Sequence, residues 1–335
     1  MIKIARRKTT LAFALSMLTP LVGASLLATA TPVRADDYPS KIVRIVVPYS
    51  PGGASDAIAR MVGEELGKKL GKKVLVENKP GAGGNIGADY VAKADPDGHT
   101  LLLAAAGFMT AAPSMYKNLP FDPAKDYQPL SLLVHAPLLV VVNPDVEVKS
   151  LQDFIDLAKS KPGEVTIGNG GVGTAQHLGA EYFASYADIK VNHIAYKGSA
   201  PATVDLISGI INAQLDNLVT LIPHIKTERL RPIAVTSAKR VSILPDVPTA
   251  TEAGLKGFET GTWYGLVGPA GMPAPIVAKL NAALLDILQQ PEISKRLLEQ
   301  GLEPSGGTPE AFSELINEGI ARNAKIIKAA GIEPQ

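Results

Sequence analysis

The sequence predicts an α/β protein of two lobes, and three observations lead to this expectation. Short β-branched runs alternate with amphipathic helical patterns along most of the chain, which is typical of parallel βαβ units. About 300 residues remain after an N-terminal segment typical of an export signal, and chains of that length commonly divide into two domains. Two glycine-rich turns between a strand and a helix, Pro48–Asp56 and Gly168–Thr174, lie far apart in the chain, so each lobe is expected to contribute one.

The first 35 residues are typical of a cleaved export signal. Four basic residues lie between positions 3 and 8, an apolar run follows, and Val33-Arg34-Ala35 fits a small-x-small cleavage site. A membrane anchor is disfavoured, because the apolar run is short and Pro20 interrupts it. The mature protein is therefore expected in the periplasm after cleavage near Ala35. The pair Arg6-Arg7 leaves the twin-arginine route open beside the general one.

Composition excludes several classes of function. The first 35 residues contain five of the 33 basic residues and none of the 32 acidic ones, so the remainder carries a formal charge of −4. A mildly acidic chain lacks the basic stripe that a nucleic-acid partner requires. The absence of cysteine excludes disulfides, thiolate metal sites, thiol catalysis and a lipoprotein anchor. Beyond the first 35 residues, no apolar run reaches the roughly 18 residues needed to span a bilayer.

The first block of predicted elements follows a strand–turn–helix pattern. The run Ile42–Val47 is rich in β-branched residues and is followed by Pro48, which indicates a buried strand that ends in a turn. Asp95-Pro96-Asp97-Gly98 has the residues of a second turn. The expected elements are the strand Ile42–Val47, a helix Ser55–Leu70, the strand Lys73–Glu77, a glycine loop and helix from Asn78 to Lys93, and the strand Thr100–Ala105.

The second block repeats this alternation from about Pro137 onward. Its first helix is expected to begin after Ser150, since a serine three residues before Asp153 suits an N-cap. The expected elements are the run Pro137–Val142, a helix Leu151–Lys159, the strand Val165–Gly168, a helix Ala175–Tyr186, the strand Val191–Tyr196, a helix Ala200–Ile207, and strands at Ala213–Leu215 and Ile233–Val235.

The C-terminal part is mostly helical, with segments expected at Ala274–Leu288, Pro291–Glu299 and Pro309–Ala330. A helical tail after a strand-rich middle suggests that the chain returns to cover the first lobe. The expected division is a discontinuous first lobe, residues 36–136 and 256–335, and a second lobe, residues 137–255. Two strands would then form the hinge between them.

The two glycine-rich turns predict a shared site for an anion. Each turn places backbone N–H groups at a helix N-terminus, where the helix dipole favours negative charge, and glycine lets the backbone approach a ligand closely. For either turn alone, a helix cap without a ligand is an equally good interpretation, and two turns on opposing lobes favour binding. Neutral side chains near the turns could add hydrogen bonds, and they leave no buried cation unpaired after the ligand is released. These residues are Ser50, Ser55, Asn169, Thr174 and Gln176.

Three further polar residues near the turns each have two interpretations. Asp56, in the first helical turn, interacts favourably with the helix dipole in the preferred interpretation; in the other it faces the cleft and repels an anion, unless it binds an ammonium or hydroxyl group of the ligand. His177 either packs against the helix start or contacts the ligand, and packing is favoured. Lys197 is by default a solvated loop cation, yet it is the nearest candidate for a charged ligand partner.

Other chemistries are less well supported. Gly168-x-Gly170-x-x-Gly173 matches a dinucleotide fingerprint, but the next strand ends in Ala195–Gly198 without the carboxylate that would hold a ribose. The loop Gly81–Gly87 lacks the spacing and the lysine of a phosphate loop, so a structural turn is the better interpretation. The five histidines show no metal-binding spacing, and no G-x-S-x-G motif is present. Neither cofactor nor metal is expected, the protein is predicted not to be an enzyme, and an exported hydrolase is the competing class.

An ordered set of motifs over nearly the whole mature chain resembles one family, the periplasmic solute receptors of tripartite tricarboxylate transporters, or Bug-type binding proteins. Each motif alone is weak, and the ordered set is specific. The motifs are Val47–Gly53 with Asp56 and Arg60, Asn78–Gly84, Asp95–Leu101, Phe121–Tyr127, Gly168–Thr174 with His177-Leu178, Tyr196–Pro201, Ala234–Ser237, Arg240, and Leu244–Thr249.

The resemblance implies a two-lobed, type II-like periplasmic-binding-protein fold, in which each lobe is a mixed β-sheet flanked by helices and the lobes close on a ligand in the cleft. It implies capture of a small organic carboxylate. The apolar residues Ala106–Phe108 would suit a ligand with an apolar or aromatic body, so a dicarboxylate and an aromatic carboxylate are both candidates, and a monomer is expected. The partners would be the subunits of a membrane transporter, and a solute sensor for a membrane signalling partner is the alternative. The expected ligand-binding residues are Tyr49, Ser50, Gly53, Asp56, Ala106, Gly107, Phe108, Gly170, Thr174, Gln176, Lys197, Asp216 and Asn217.

Overall fold

The computed structural model describes residues 38–329 and Pro334, and its strands form one continuous sheet system with the order β2-β1-β3-β9-β4-β7-β5-β6. The short strands β8 and β10 each pair with β4 as well. The predicted export signal, residues 1–35, lies outside the described residues.

The elements up to the long central strand follow the predicted alternation. A 3₁₀ turn, Ala82–Gly84, precedes the second helix, and a π-helical turn, Gly107–Ala111, precedes the third. The elements are β1 (Val43–Val47), α1 (Ala54–Leu70), β2 (Val74–Asn78), α2 (Asn85–Ala92), β3 (Thr100–Ala105), α3 (Ala112–Met115) and β4 (Tyr127–Val142).

The later elements alternate and then become mostly helical. They are α4 (Leu151–Ser160), β5 (Thr166–Asn169), α5 (Ala175–Tyr186), β6 (Asn192–Ala195), α6 (Ser199–Ile207), β7 (Ala213–Asn217), α7 (Leu218–Ile225), β8 (Arg231–Val235), β9 (Gly261–Pro269), α8 (Ala274–Gln289), α9 (Pro291–Leu298), β10 (Glu303–Pro304) and α10 (Pro309–Ala329).

Separate hydrophobic cores divide this sheet system into two lobes. In the first lobe, β1, β3 and β9 pack against α1, α8, α9 and α10, and residues such as Ile45, Leu102 and Leu280 are fully buried. In the second lobe the sheet is buried on both faces. Alternate residues of β4, Leu138 on one face and Leu139 on the other, belong to two different apolar clusters, as the two-residue period of a strand requires.

The strand β4 belongs to both lobes. Its first part, Tyr127–Pro137, pairs antiparallel with β9, and its last part, Leu138–Val142, pairs antiparallel with β7. The change of partner falls at Pro137, whose missing N–H is tolerated where the ladder changes partner. A single strand therefore runs continuously from one lobe into the other.

Most predicted elements are confirmed within one or two residues. At α4, Ser150 accepts from the Asp153 N–H and the Asp153 side chain accepts from the Ser150 N–H, so the N-cap is confirmed as a full capping box. Differences occur where apolar runs contain proline. β4 begins at Tyr127, ten residues before the predicted run, and Pro129 lies at a register irregularity. The helix α7, an apolar stretch that contains Pro223, was not predicted.

Candidate ligand-binding site

The first glycine turn is held by a charged side chain. Gly53 is the N-cap of α1 in extended conformation and makes no side-chain cap bond. The Asp56 carboxylate accepts from Gly52 N at 3.1 Å, from Asn78 Nδ2 at 3.0 Å, and from Arg60 Nε and Nη2 at 2.9 Å each. Burial raises the pKa of Asp56, but these hydrogen bonds outweigh it, so the pKa lies below its usual value. The Asp56 carboxylate therefore stabilises the turn and binds the Arg60 guanidinium.

The second glycine turn is held by neutral side chains. Asn169 Oδ1 accepts from Gly171 N at 2.9 Å, and Gly171 has a φ of 122°, which favours glycine. Thr174 is the N-cap of α5: its Oγ1 accepts from His177 N at 3.2 Å and donates to Gly171 O at 2.7 Å. Burial lowers the pKa of His177, so its imidazole favours the neutral form.

Both turns line one small cavity of about 20 Å³, enough for one water-sized group. Seven of the predicted site residues line it: Tyr49, Ser50, Gly53, Gly107, Gly170, Thr174 and Gln176. The other lining residues are Ala54, Ser55, Ala105, Ala175, Gly198, Ser199, Thr262 and Tyr264. A larger cavity of about 1010 Å³ shares Gly107, Ala175 and Thr262 with it.

The lobes contact each other around the small cavity. Ser50 Oγ donates to Lys197 O at 2.6 Å, and Ser50 N donates to the same oxygen at 3.3 Å. On the other side, Gly83 lies between the turns: its carbonyl accepts from Tyr49 OH at 3.3 Å, and a Cβ at its position would overlap Val172 O. The loop interpreted from sequence as a structural turn is therefore part of the contact between the lobes.

Asp216 lies buried at the end of β7, among donors. It accepts from Ser199 Oγ at 2.7 Å, Gln214 Nε2 at 2.8 Å, Asn217 N at 2.7 Å and Gln176 Nε2 at 3.2 Å. Burial raises the pKa of Asp216, and these hydrogen bonds oppose that rise. Asp216 does not line the small cavity, but two of its donors, Ser199 and Gln176, do.

The structure places the remaining predicted residues outside the small cavity. Phe108 is buried in the core of the first lobe, and Ala106 lines the larger cavity. The Lys197 side chain is exposed, and only its carbonyl takes part in the contact between lobes. Asn217 is buried and donates through Nδ2 to Tyr264 OH at 2.9 Å.

Seven lining residues were missed by the sequence reasoning, and Ser199 and Tyr264 are the two among them that hydrogen-bond to the Asp216–Asn217 pair. Ser199 follows Gly198 at the start of α6, so a glycine before a serine at a strand–helix junction was the available signal. The charge of the neighbouring Lys197 drew the prediction instead. Tyr264 lies in β9, which was not predicted as a strand.

Two kinds of feature are absent from the described residues. Over residues 38–329, no three His, Cys, Asp or Glu side chains are grouped so as to hold a metal ion. Over the same range, no helix combines the length and the apolar character needed to cross a membrane.

Comparison with known proteins indicates one family of receptors. The family model "Tripartite tricarboxylate transporter family receptor" matches residues 58–332. Protein BugT of Bordetella pertussis is 35% identical over 303 residues, which are 90% of this chain and 93% of that protein.

Two solved structures are similar in fold over their whole length. A protein from R. palustris with adipate has a TM-score of 0.87 and 35% identity, covering 89% of this chain and 100% of that one. MatC from Rhodopseudomonas palustris with bound malate has a TM-score of 0.82 and 32% identity, covering 87% of this chain and 100% of that one.

Proposed function

Because this chain belongs to the receptor family of tripartite tricarboxylate transporters, we propose that it captures a small organic carboxylate and delivers it to a membrane transporter of that type. The family consists of periplasmic solute-binding receptors, not enzymes. The fold is accordingly a two-lobed periplasmic-binding-protein fold with the cleft between the lobes.

The convergence of three helix N-termini on one cavity is the observation that carries this proposal. Residues from the first turns of α1, α5 and α6, among them Ser55, Gln176 and Ser199, line the small cavity. The first N–H groups of a helix have no intrahelical partner, and the helix dipole favours negative charge at that end. Three such ends from two lobes suit a carboxylate and draw the lobes together around it.

The ligand body is proposed to extend into the larger cavity. That cavity is lined by apolar residues such as Ala106 and Trp263 and by charged residues that include Glu181, Glu259 and Arg322. Adipate and malate, the ligands of the two structural relatives, are both dicarboxylates, which favours a dicarboxylate here. An aromatic carboxylate is the second candidate, because Trp263 offers it an aromatic wall.

Delivery requires export and motion, and both are part of the proposal. The chain is exported and cleaved near Ala35, and the mature protein acts as a monomer. Its lobes, residues 36–136 with 256–335 and residues 137–255, rotate about β4 and β9. Ligand affinity for the closed form drives the closure.

Thermal unfolding of the purified mature protein, in a panel of mono-, di- and aromatic carboxylates, tests the proposal. A true ligand at 100 times its dissociation constant adds about 2.7 kcal/mol to the free energy of unfolding. Gly53→Val and Gly170→Val should abolish the shift, because a Cβ meets no atom closer than 3.7 Å at either glycine and the extra methyl groups then fill the cavity.

Three results would redirect the assignment. A melting temperature raised by a sugar and by no carboxylate would contradict the proposal. Turnover of an ester or peptide panel would favour the exported hydrolase. Retained carboxylate uptake in a strain that lacks this gene, with loss of a transcriptional response, would favour the solute sensor.

A further inference from the structure

We propose that Tyr264 is a positioning residue for the carboxylate site, whose hydroxyl group holds helix starts from both lobes in one arrangement around the small cavity. In this role Tyr264 does not bind the ligand itself. It acts through the residues at the helix starts, which border the cavity. This inference rests on the proposed function, since it concerns the same site.

Tyr264 belongs to the first lobe, but its hydroxyl group contacts the second. The residue lies on β9 opposite Ala105 of β3 and Val134 of β4, and its side chain is part of the first-lobe core. Its OH accepts from Asn217 Nδ2 at 2.9 Å. Asn217 is the last residue of β7 in the second lobe. The Tyr264 side chain therefore spans the boundary between the two cores.

The hydrogen-bonding capacity of the Tyr264 hydroxyl is filled within the protein. Besides Asn217, this hydroxyl forms hydrogen bonds with the side chains of Ser55 and Gln176. A hydroxyl has one proton and two lone pairs, so three partners use all of its capacity. Burial, together with the nearby Asp216 carboxylate, raises the pKa of Tyr264, so the hydroxyl keeps its proton and adds no charge beside the proposed anion site. Although Tyr264 lines the cavity, its effect on a ligand is therefore indirect.

The partners of this hydroxyl lie in the first turns of the helices that meet at the cavity. Ser55 of α1 and Gln176 of α5 each follow the first residue of their helix, and both line the cavity. Asp216 extends the connection to a third helix, because it accepts from Gln176 Nε2 at 3.2 Å and from Ser199 Oγ, at the start of α6, at 2.7 Å. One connected set of hydrogen bonds thus joins the starts of α1, α5 and α6, and Tyr264 links its two lobes.

This connection matters because backbone donors from several helices must reach one carboxylate together. Each N–H···O bond requires a distance of about 2.7–3.2 Å, and the donors belong to lobes that move relative to each other. A hydrogen-bonded link between the lobes orders these donors before the ligand arrives. Without it, the binding-competent arrangement is populated less, and the ligand affinity falls by the same factor.

Isothermal titration calorimetry of the mature protein tests this inference, with butanedioate, hexanedioate and benzoate as probes. Tyr264→Phe removes the hydroxyl and keeps the ring. For the probe that binds most tightly, the dissociation constant should rise about 10-fold, because one buried hydrogen bond between the lobes is lost.

Tyr38→Phe is the matched control. Tyr38 is 4% exposed and Tyr264 is 2% exposed, both belong to the same core, and the Tyr38 hydroxyl donates to Gly98 O at 2.6 Å within the first lobe. Both variants lose a buried tyrosine hydroxyl, so both should lower the melting temperature by similar amounts. Only Tyr264→Phe should weaken binding, and the dissociation constant of Tyr38→Phe should stay within about 2-fold of that of the native protein.

A double-mutant cycle with Ser55→Ala separates positioning from direct contact with the ligand. Ser55→Ala should weaken binding in the native protein, but by less than about 2-fold in the Tyr264→Phe background, because Ser55 is then no longer held in place. Asn217→Ser removes the donor of the second lobe from outside the small cavity and keeps a residue suited to the N-cap of α7. It should also weaken binding, and it decides the matter if Tyr264→Phe does not fold.

The outcomes distinguish this inference from the proposed function. Equal affinities of Tyr264→Phe and Tyr38→Phe for every probe that binds would make Tyr264 an ordinary core residue and leave the receptor function standing. Additive effects of Ser55→Ala and Tyr264→Phe would also overturn the positioning role, in favour of separate contacts with the ligand. Absence of binding by every carboxylate overturns both.

Discussion

The two glycine turns share a strand–turn–helix plan but are stabilised differently. The turn before α1 depends on one ionised side chain, Asp56, which accepts four hydrogen bonds and forms an ion pair with Arg60. The turn before α5 depends on Asn169 and Thr174, which are neutral. The helix dipole that would attract a carboxylate is therefore combined with a compensated charge in the first turn and with neutral side chains in the second.

This difference shows how a negative side chain can lie close to the proposed anion site. The Asp56 charge is offset by the guanidinium of Arg60 at 2.9 Å and by two amide donors, so little of it is directed at the cavity. Among the described residues, no lysine or arginine forms an ion pair with Asp216 of the second lobe, and neutral groups donate to its carboxylate instead. The two lobes thus border the proposed anion site with different electrostatic arrangements.

The largest effect is expected where both turns meet, at Gly83. Alanine there would overlap Val172 O of the second turn, while the Tyr49 hydroxyl of the first turn contacts the Gly83 carbonyl. Gly83→Ala should therefore hold the lobes apart and weaken carboxylate binding roughly 100-fold, because the binding-competent closed form becomes rare. Calorimetric titration measures the affinity, and small-angle scattering measures the separation of the lobes.

Gly71→Ala is the matched control for this experiment. Gly71 has the same φ of 65° as Gly83, but a Cβ there meets no atom within 4 Å. Both variants therefore carry the same backbone strain of roughly 1 kcal/mol, and only one carries the overlap. Equal affinities for the two variants would show that Gly83 is not part of the closure.

Asp56→Ala should be the most destabilising single change in either turn. It removes the acceptor of four hydrogen bonds and leaves Asn78 Nδ2 and Gly52 N without this partner. Because the Arg60 side chain is 54% exposed and can turn to water, the expected loss is moderated to about 2 kcal/mol of unfolding free energy. Urea unfolding measures it. A loss under roughly 0.5 kcal/mol would mean that the charge is dispensable to the first turn.

Thr174→Val tests the neutral turn and should have a smaller effect. Valine keeps the shape of threonine but removes the N-cap acceptor for His177 N and the donor to Gly171 O. The expected loss is about 1 kcal/mol, and Thr174→Ser should recover most of it because the hydroxyl returns. Were the serine variant as unstable as the valine variant, packing of the methyl group and not capping would hold this turn.

The smallest expected effect concerns the pH dependence of stability, which should differ between the two turns. Burial lowers the pKa of His177, so the unfolded chain binds a proton that the folded chain resists. The stability it contributes is complete above its ordinary pKa of 6.5 and declines as the pH falls below that value. Nearby Glu181 opposes the lowering of this pKa and His193 adds to it, so the slope should stay well under the limit of about 1.4 kcal/mol per pH unit.

His177→Asn retains a hydrogen-bond acceptor but has no group that titrates in this range. It should therefore flatten the slope of unfolding free energy against pH between pH 7.5 and 5.5, as measured by urea unfolding. The first turn should show its own loss only at more acid pH. Since the pKa of Asp56 lies below its ordinary 3.8, the stability it contributes is present above that value and is lost as the pH falls below it. An unchanged slope in His177→Asn would assign the dependence to other groups, with His193 the first to examine.

Local patterns in the sequence predicted most of the helices and strands and, at the candidate site, the two glycine turns. Ser150 and Asp153 identified a capping box, and glycines between strand and helix identified both turns, because these signals lie within a few residues of one another. The first half of β4 was missed because its prolines resemble strand breakers, and only the pairing with β9 shows that they are tolerated. Such pairing is not encoded locally.

The hydrogen-bond directions at the site could not be predicted for the same reason. Ser50 was expected to donate to a ligand, but its proton goes to Lys197 O, 147 residues away in sequence. Gln176 was expected to supply a hydrogen bond, and its Nε2 donates to Asp216, 40 residues away. Residue types are visible in a sequence, whereas the acceptor that occupies each donor is a property of the folded chain.

The position of the one tryptophan in the chain makes the hinge observable without a label. Trp263 lies on β9 opposite His135 of β4, borders the larger cavity, and meets the ring of Phe312 edge-on at 5.2 Å. Excitation at wavelengths that tyrosine does not absorb therefore reports from a single point, in the first-lobe core beside the strand β4 that continues into the second lobe. If the proposed closure changes the surroundings of this ring, its emission should change with it, and stopped-flow mixing with ligand would then measure the speed of closure on the native protein.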